Sequence, residues 1–417
     1  MKQSGIDWIG EIPNDWNVNK IDSLYILRNT KVSDKDYPPL SVTMQGIVPQ
    51  LATAAKSDDG DNRKLVKKGD FAINSRSDRR GSSGVSDYDG SVSLINTILT
   101  PRGEMNPIYY NWLFHTIQFE DEFYKWGHGI VDDLWTTRWQ DMKNIFIVVP
   151  PKATQKRIAE YLDSKCAQID SIIEESKKSI EEYKAWKQSV IFEAVTGKNL
   201  NCKKKDSGIE WIGEIPENYK LIRLKFLLKE KLQYGANSSG IEFSLDLPRY
   251  IRITDIKDSK TLYDENKLSL SEEDAKDYIL DDNDILFARS GATSGKCFIY
   301  KKGIGKATFA GYLIRAKIDE TKLLPNFLVL YTMTKAYEEW KNQVCIQATI
   351  QNISAEKYVN LIVPVPPLSE QESIAKMLDS KCAQIDSLIA EKESLITDLT
   401  EYKKSLIFEV VTGKRSI

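Results

Sequence analysis

The sequence predicts an α+β fold in which two pseudo-symmetric α/β domains are joined by two long helices that form an antiparallel coiled coil. Three observations predict this fold. The chain of 417 residues is an internal duplication, and each copy ends in a long stretch without proline or glycine. Between the repeated motifs, β-rich runs alternate with helical pieces.

The duplication is visible in three motifs that recur in the same order. They are SGIDWIGEIP (Ser4–Pro13) with SGIEWIGEIP (Ser207–Pro216), DSKCAQID (Asp163–Asp170 and Asp379–Asp386), and VTGK (Val195–Lys198 and Val411–Lys414). The period far exceeds that of a solenoid and indicates a duplicated domain. We therefore expect domains at 1–151 and 207–367, long helices at 152–198 and 368–414, and a linker at 199–206.

The two long helices have the sequence signals that usually begin and end a helix. Each stretch free of proline and glycine, Ala153–Val195 and Leu368–Val411, follows a double proline and precedes a glycine. Ser369 begins the sequence S-E-Q-E, which fits a capping box in which Glu372 reaches back to the helix start.

Apolar residues recur along both helices in steps of three, four and seven, which is heptad spacing. The second helix carries Ile374, Leu378, Ile385, Leu388, Leu395, Leu399, Tyr402 and Leu406, and the first carries Ile158, Leu162, Ile169, Ile172, Tyr183, Trp186 and Val190. A long helix with one narrow apolar stripe must bury that stripe against a partner helix. Two equivalent units with C-terminal helices pair most simply about a two-fold axis, so we expect an antiparallel pair.

The composition limits the class of protein without identifying a ligand. The formal net charge of −2 neither requires nor excludes a nucleic-acid partner. Five cysteines without a CxxC pair argue against a disulfide framework or a zinc cluster and favour a cytoplasmic location. We expect no membrane span, because no apolar run is long enough, and no signal peptide, because the start MKQSGIDWIGEIP lacks its basic and apolar regions.

Three features suggest enzyme chemistry, and none completes a catalytic site. NPIY at Asn106–Tyr109 resembles the NPPY-type loop of amino methyltransferases, but Ile108 replaces the second proline and a helix start explains the motif better. SGATSGKC at Ser290–Cys297 does not have the glycine spacing of a Walker A loop. His115 and His128 lack the spacing of a metal pair. We therefore expect no catalytic residues, no metal and no cofactor.

Two donor-rich loops contain the first candidate binding residues. SRSDRRGSSG carries Arg76, Arg79 and Arg80, and FARSGATSGK carries Arg289, Ser290, Thr293 and Lys296. The resemblance of KKGDFAINSRS to LDDNDILFARS gives Arg76 or Arg79 the role of Arg289. Arginine reads guanine through two hydrogen bonds, while hydroxyls and lysine bind phosphates, so both loops suit a DNA groove. An ordinary exposed polar turn is the alternative, and the sequence leaves it open.

A second candidate precedes the last strand of each domain. QATIQNIS (Gln347–Ser354) contains Gln347, Thr349 and Gln351, and glutamine amides suit the edges of adenine. The counterpart in the first copy is HGIVDDLW (His128–Trp135). Polar residues also cap strands, and the sequence favours that alternative here.

Together these motifs resemble the specificity subunit of a type I restriction-modification system over nearly the whole chain. The matching features are the paired GI-x-WIGEIP segments, GIVPQ (Gly46–Gln50), GDFAIN (Gly69–Asn74), FARSGAT-x-GK (Phe287–Lys296), QATIQNIS, PPLSEQESIA (Pro366–Ala375) and the DSK-x-AQID helices with their VTGK ends. No single motif is decisive, but their order, repeated twice, is specific.

The resemblance implies a subunit that binds double-stranded DNA and is not an enzyme. In the family, each variable domain is a target recognition domain for half of a bipartite target, and the helices hold the two domains at a fixed separation. Two methyltransferase subunits dock on the subunit, and translocase–nuclease subunits join in the full complex. SRSDRRGSSG departs from the commoner loop pattern, which leaves open which arginine reads a base. Gln45, beside GIVPQ, with Arg252 and Thr254, in RYIRITDI, completes the predicted DNA-binding residues.

Two other classes of protein remain open from the sequence. One is a stand-alone enzyme acting on nucleic acid, which methyl transfer by the pure chain would identify. The other is a coiled-coil adaptor that binds protein only, for which salt-dependent binding to duplex DNA is not expected.

Overall fold

The structure is a computed structural model that describes residues 1–52, 60–130, 135–345 and 352–417. The chain divides into two compact units, Met1–Lys177 with Glu393–Ile417, and Lys178–Lys392. Each unit therefore contains one α/β domain, the start of the long helix that follows that domain, and the end of the other long helix.

The described part of the first domain is built from short strands and three short helices, and the first long helix follows it. The strands are β1 (Lys2–Gln3), β2 (Glu11–Ile12), β3 (Asn17–Lys20), β4 (Tyr25–Arg28), β5 (Lys31–Val32), β6 (Leu40–Thr43), β7 (Gly46–Pro49), β8 (Arg63–Val66), β9 (Phe71–Asn74), β10 (Ser83–Val85), β11 (Gly90–Val92), β12 (Asn96–Pro101) and β13 (Phe146–Val149). The helices are α1 (Pro107–Phe114), α2 (Ile117–Lys125), α3 (Trp139–Met142) and the long α4 (Lys152–Thr196).

The second domain has the same kind of composition, and the second long helix follows it. The strands are β14 (Lys204–Asp206), β15 (Glu214–Pro216), β16 (Lys220–Arg223), β17 (Gln233–Tyr234), β18 (Ile241–Glu242), β19 (Arg249–Ile251), β20 (Leu268–Ser269), β21 (Ile285–Ala288), β22 (Cys297–Ile299), β23 (Ala307–Phe309), β24 (Leu313–Ala316) and β25 (Ile362–Val365). The helices are α5 (Glu272–Ala275), α6 (Pro325–Thr332), α7 (Lys335–Cys345), α8 (Ala355–Tyr358) and the long α9 (Leu368–Val411).

Each domain contains its own central antiparallel sheet, and the two sheets have the same topology. The strand order is β10–β9–β12–β4 in the first domain and β22–β21–β24–β17 in the second. The surroundings differ: the first domain adds the sheet β11–β8–β5 and the hairpin β6–β7, whereas the second adds β18–β20–β19–β23, in which β19 and β23 are parallel. The predicted pair of related α/β domains is confirmed, with a common core and divergent additions.

The starts of the helices follow the local chemistry. The Asn106 side chain accepts hydrogen bonds from the amides of Ile108 and Tyr109 (2.9 and 3.2 Å), so NPIY is a capped helix start, as the sequence predicts. The predicted capping box at Ser369 is wrong. Helix α9 already includes Ser369, because the Pro367 carbonyl accepts the first helical amide hydrogen bonds.

Within each unit the two helix segments are antiparallel, as predicted. In the first unit Arg157 donates to the carbonyl of Ile417 (2.7 Å), and the carboxylate of Asp170 binds Lys403 (2.6 Å). As the residue numbers along α4 rise, the residue numbers of the contacted residues in the C-terminal segment fall. The two segments therefore run in opposite directions. The second unit has the repeat-equivalent ion pair, Lys187 with Asp386 (2.6 Å).

The seam between the helices differs in part from the predicted heptad positions. Five of the predicted positions are exposed: Ile172, Trp186, Leu388, Leu395 and Tyr402. Ile389 and Ile396, which directly follow two of these residues, are half-buried. Adjacent apolar residues fit heptad spacing with either member, so the sequence alone does not show which one faces the partner helix.

Each long helix ends at a glycine that packs against a WIGEIP motif. Gly413 has φ +73°, and a Cβ there would lie 2.5 Å from Cδ of Pro13. Gly197 has φ +70°, and its Cβ would lie 2.4 Å from Cγ of Pro216. Only glycine combines this left-handed conformation with so close a contact, which explains why VTGK and WIGEIP recur together.

A buried glutamine attaches the start of each long helix to its domain. Gln371 accepts a hydrogen bond from the amide of Leu324 (2.8 Å) and donates to the carbonyls of Lys322 (3.1 Å) and Pro366 (2.9 Å). Its relative exposure is 0%. The three bonds therefore form in an environment where water cannot replace them.

The first copy repeats this arrangement 216 residues earlier in the sequence. Gln155 is also buried, accepts from the amide of Asn106 (2.9 Å) and donates to the carbonyl of Pro150 (2.9 Å). In both copies the glutamine joins the double proline to the loop before an α-helix of the domain.

A buried carboxylate lies at the start of the central strand in each domain. Asp70 binds Arg28 (2.6 Å), and Asp284 lies 3.8 Å from Arg315. Burial raises the pKa of Asp284 from 3.8 to about 6, although a hydrogen bond from the Asp281 amide and the charge of Arg315 oppose the rise.

We expect Gln371→Ala to lower the free energy of unfolding by about 3 kcal/mol, because it leaves one amide and two carbonyls without their partner. Gln155→Ala should have a comparable effect. The midpoint of urea denaturation measures both, with the exposed Glu372→Ala as control. An unchanged midpoint for Gln371→Ala would contradict this role.

We expect Asp284 to make the protein more stable at low pH. Its folded pKa lies above the unfolded value, so the folded state holds the proton more tightly, and this stability is lost as the pH rises from about 4 through 6. Asp284→Asn should flatten the pH dependence by about 2 kcal/mol over that interval, whereas the exposed Asp277→Asn should not. Parallel curves for Asp284→Asn and the unaltered protein would refute the assignment.

Candidate nucleic-acid interface

Three segments of the second domain meet beside the central sheet. They are the arginine loop (Arg289–Lys296) after β21, the turn Ala310–Leu313 before β24, and the segment 352–354 before α8. The amide of Arg289 donates to the carbonyl of Tyr312 (3.0 Å), and its carbonyl accepts from the amide of Ile353 (2.8 Å). Because these bonds use only main-chain atoms, they hold the segments together irrespective of the side chains.

The first domain contains the same arrangement. Its segments are the arginine loop (Ser75–Ser82), the turn Ser93–Asn96 and the segment 135–137. The amide of Ser75 donates to the carbonyl of Ile95 (3.4 Å), and its carbonyl accepts from the amide of Thr137 (2.9 Å). Arg76 forms an isolated antiparallel β-bridge with Thr136, and Ser290 forms the same kind of bridge with Asn352.

These bonds correct the correspondence between the two arginine loops. Ser75 makes the main-chain contacts that Arg289 makes, Arg76 occupies the position of Ser290, and Arg79 occupies that of Thr293. Matching the letters KKGDFAINSRS to LDDNDILFARS is thus one residue out of register. In an extended segment such a slip turns a side chain to the opposite face, so neither Arg76 nor Arg79 is the structural equivalent of Arg289.

Arg289 is held by an aromatic ring. Its guanidinium carbon lies 4.9 Å from the centroid of the Tyr234 ring, and its buried Nε has no hydrogen-bond partner among the residues that the structure describes. Tyr234 is itself fixed, because its hydroxyl accepts from the amide of Ala355 (3.0 Å). The pKa of the nearby Glu356 carboxyl is lowered mainly by a hydrogen bond from Ser354 and partly by the charge of Arg289.

The other polar residues of this loop differ in accessibility. Ser290 and Thr293 are half-buried, while Lys296 is exposed. Gly295 has φ +86°, and its carbonyl accepts from the Tyr337 hydroxyl (2.8 Å), which fixes the end of the loop. The loop is therefore an ordered surface whose donors can meet a ligand.

The three arginines of the first loop have different surroundings. Arg80 forms ion pairs with Glu120 (3.2 Å) and Asp121 and lies over the Tyr124 ring. Arg79 is exposed beside Asp78. In the part of the chain that the structure describes, Arg76 forms no ion pair and is half-buried. Arg80 is thus engaged within the domain, whereas Arg76 and Arg79 remain available to a ligand.

Gln45 lies on a hairpin that packs on β10, the strand after the first arginine loop, whereas Arg252 and Thr254 line a separate depression. Gln45 is exposed at the tip of β6–β7, whose Gly46 is so close to Gly84 that a Cβ on Gly84 would lie 2.8 Å from its Cα. Arg252 binds Asp255 (2.7 Å), and the exposed Thr254 lines the same depression.

Three predicted residues, Gln347, Thr349 and Gln351, lie outside the described residues. Tyr234, which supports Arg289, was not identified from the sequence. It precedes Arg289 by 55 positions, and no local motif connects the two residues.

Two further properties of the described residues concern other kinds of site. Among those residues, no group of three or more His, Cys, Asp or Glu side chains could hold a metal ion. In the same residues, no helix has the length and apolar character needed to cross a membrane.

Comparisons with known proteins point to one family. A family model described as "Type I restriction modification DNA specificity domain" matches residues 204–397. The chain is 25% identical to the putative type I restriction enzyme MjaX specificity subunit of Methanocaldococcus jannaschii, over 97% of this chain and 95% of that protein. It is 24% identical to the StySPI specificity subunit of Salmonella potsdam over 65% of this chain, and this match spans only 58% of the Salmonella protein.

The fold is also found in solved structures. A chain from a structural study of complex assembly and conformational transition in the type I R-M system superposes with a TM-score of 0.75. The match covers 97% of this chain and all of the other, at 14% identity. At that identity the likeness concerns the fold.

Proposed function

We propose, from the premise that this chain belongs to the family of type I restriction-modification specificity subunits, that it is a non-catalytic subunit that binds double-stranded DNA. Each α/β domain reads one half of a bipartite target. One observation carries the proposal: the same main-chain frame of three segments occurs once in each domain and presents different side chains.

The chemistry of the two frames suits DNA. In the second domain, Arg289 has guanidinium donors for a base edge, and Lys296 and Thr293 can bind phosphates. In the first domain, Arg76 follows Ser75, the residue that is equivalent to Arg289. Arg76 therefore meets the groove from a different face. Gln45, on the hairpin that packs on the strand after the first arginine loop, adds an amide. The two domains thus present different hydrogen-bond donors on the same main-chain frame. Recognition of two different half-sites requires such a difference.

The long helices set the distance between the half-sites and dock the partner subunits in this proposal. Each unit exposes an apolar and an aromatic residue on its helix pair: Ile172 with Tyr402 in one, and Leu388 with Trp186 in the other. The two sets occupy repeat-equivalent positions, 216 residues apart. We call each pair of exposed residues a patch, and two similar patches fit two copies of one partner, which we assign as methyltransferase subunits. Translocase–nuclease subunits complete the complex.

The decisive experiment is a methylation footprint of DNA from cells that express this chain with its methyltransferase partner. We expect modified adenines in one bipartite sequence, and none when the chain is omitted. The purified chain alone should neither methylate nor cut duplex DNA. Modification without sequence preference, or turnover by the pure chain, would reject the proposal.

We expect Arg289→Ala to weaken binding of the assembled methyltransferase to its target by about 1–3 kcal/mol and to relax specificity in one half-site only. Arg76→Ala should act on the other half-site. Arg80→Ala is the matched control, because its guanidinium is already bound by two carboxylates. Titrations at several salt concentrations identify a phosphate contact, which flattens the salt dependence by about one unit of slope. No change in affinity, slope or preference for either variant would identify the loops as ordinary polar turns.

We expect Trp186→Ser to weaken docking of one methyltransferase subunit and Tyr402→Ser to weaken docking of the other, because each removes an exposed aromatic residue from one patch. The mass of the purified complex shows how many subunits bind. Phe226→Ser, which alters an exposed aromatic residue elsewhere, is the control. A double variant that still binds two subunits at unchanged affinity would exclude these patches.

A further inference from the structure

The turn of each three-segment frame carries an exposed apolar residue at the same position. In the turns Ser93–Asn96 and Ala310–Leu313, the amide of the fourth residue donates to the carbonyl of the first, at 3.1 and 2.8 Å. The third residue is Ile95 in one turn and Tyr312 in the other. Turn positions usually carry glycine, asparagine or another small polar residue, so a large apolar side chain needs an explanation.

Neither side chain serves the core of its domain. Tyr312 is 63% exposed and Ile95 is 38% exposed. Their backbones are nevertheless fixed, because each carbonyl accepts a hydrogen bond from the first residue of the neighbouring arginine loop. The side chains therefore project from ordered turns at a defined place beside the loop.

The neighbouring groups indicate what these side chains meet. Beside Tyr312 lies Arg289, whose Nε has no hydrogen-bond partner within the described part of the chain, and the same loop carries the exposed Lys296. In the first domain Arg76 follows Ser75, the residue that binds the Ile95 carbonyl. An apolar side chain next to cationic donors is complementary to a DNA groove, in which phosphates flank base edges and the only methyl group of the unmodified bases is that of thymine.

We propose that Tyr312 and Ile95 are specificity-determining residues that each contact the 5-methyl group of a thymine in the half-site read by their own domain. This inference rests on the proposed function. It adds a hydrophobic component of base recognition to the arginine contacts and predicts a thymine at a defined place in each half-site.

The test uses the complex with methyltransferase subunits and the target duplex defined by the methylation footprint. The thymines of the target are replaced one at a time by uracil, which removes only the methyl group. We expect one replacement in each half-site to weaken binding about fourfold, which is the effect of losing one buried methyl group. Tyr312→Ala should bind the unmodified target at least fourfold more weakly and lose its sensitivity to uracil at one of these positions only.

The variants separate this role from general effects. Tyr312→Phe keeps the ring and should keep the sensitivity to uracil, while Ile95→Ala should lose it in the other half-site. Leu245→Ala removes an apolar side chain that is 93% exposed and should leave both responses unchanged. Unchanged affinity for Tyr312→Ala, or undiminished sensitivity at every thymine, overturns the inference. In that case the unaltered complex still binds and methylates its bipartite target, whereas failure of the proposed function removes sequence-specific binding altogether.

Discussion

The side-chain amide of one buried glutamine attaches each long helix to its α/β domain, and the rest of each unit depends on this attachment. Gln155 and Gln371 can make their bonds only if the helix begins at the double proline, which fixes its first turn and its direction. The carboxylates of Asp170 and Asp386 follow 15 residues later and bind a lysine of the other helix. The attachment thus determines where the second helix segment packs.

The motifs that recur in the chain supply the contacts that hold the long helices in each unit. VTGK ends a helix at a glycine that contacts the proline of WIGEIP, and DSKCAQID supplies the carboxylate that pairs across the seam. Each of these contacts forms in both units, so the same sequence motifs are needed in both copies. The hydroxyl of Tyr109 adds a bond to the carbonyl of Val411 (2.7 Å) in the first unit only, because its equivalent in α6 is Phe327.

The sequence predicts the helices well and the details of the site less well. Proline and glycine mark the ends of α4 and α9 to within one residue, because both act on the local backbone. Neighbouring apolar residues such as Leu388 and Ile389 compete for the seam, and only packing shows which one is buried. The correspondence of Ser75 with Arg289 depends on hydrogen bonds to distant segments, which similar letters cannot reveal. The carboxylates that engage Arg80, Glu120 and Asp121, lie 40 and 41 residues away in the sequence, so no local motif indicates them.

Divergence of the two domains is possible because main-chain bonds build the frame and compensating changes preserve the core. In the first domain Arg28 on β4 binds the buried Asp70, but the corresponding residue of β17 is Gln233. There the arginine lies across the ladder, at Arg315 on β24, and still faces the buried Asp284. The arginine therefore lies on a different strand in each domain, but in both domains it faces the buried carboxylate. The arginine loops and turns have even more freedom, because the bonds that join the first residue of each loop to the turn and to the third segment use main-chain atoms. The side chains that these loops present can therefore change without altering the main chain that carries them.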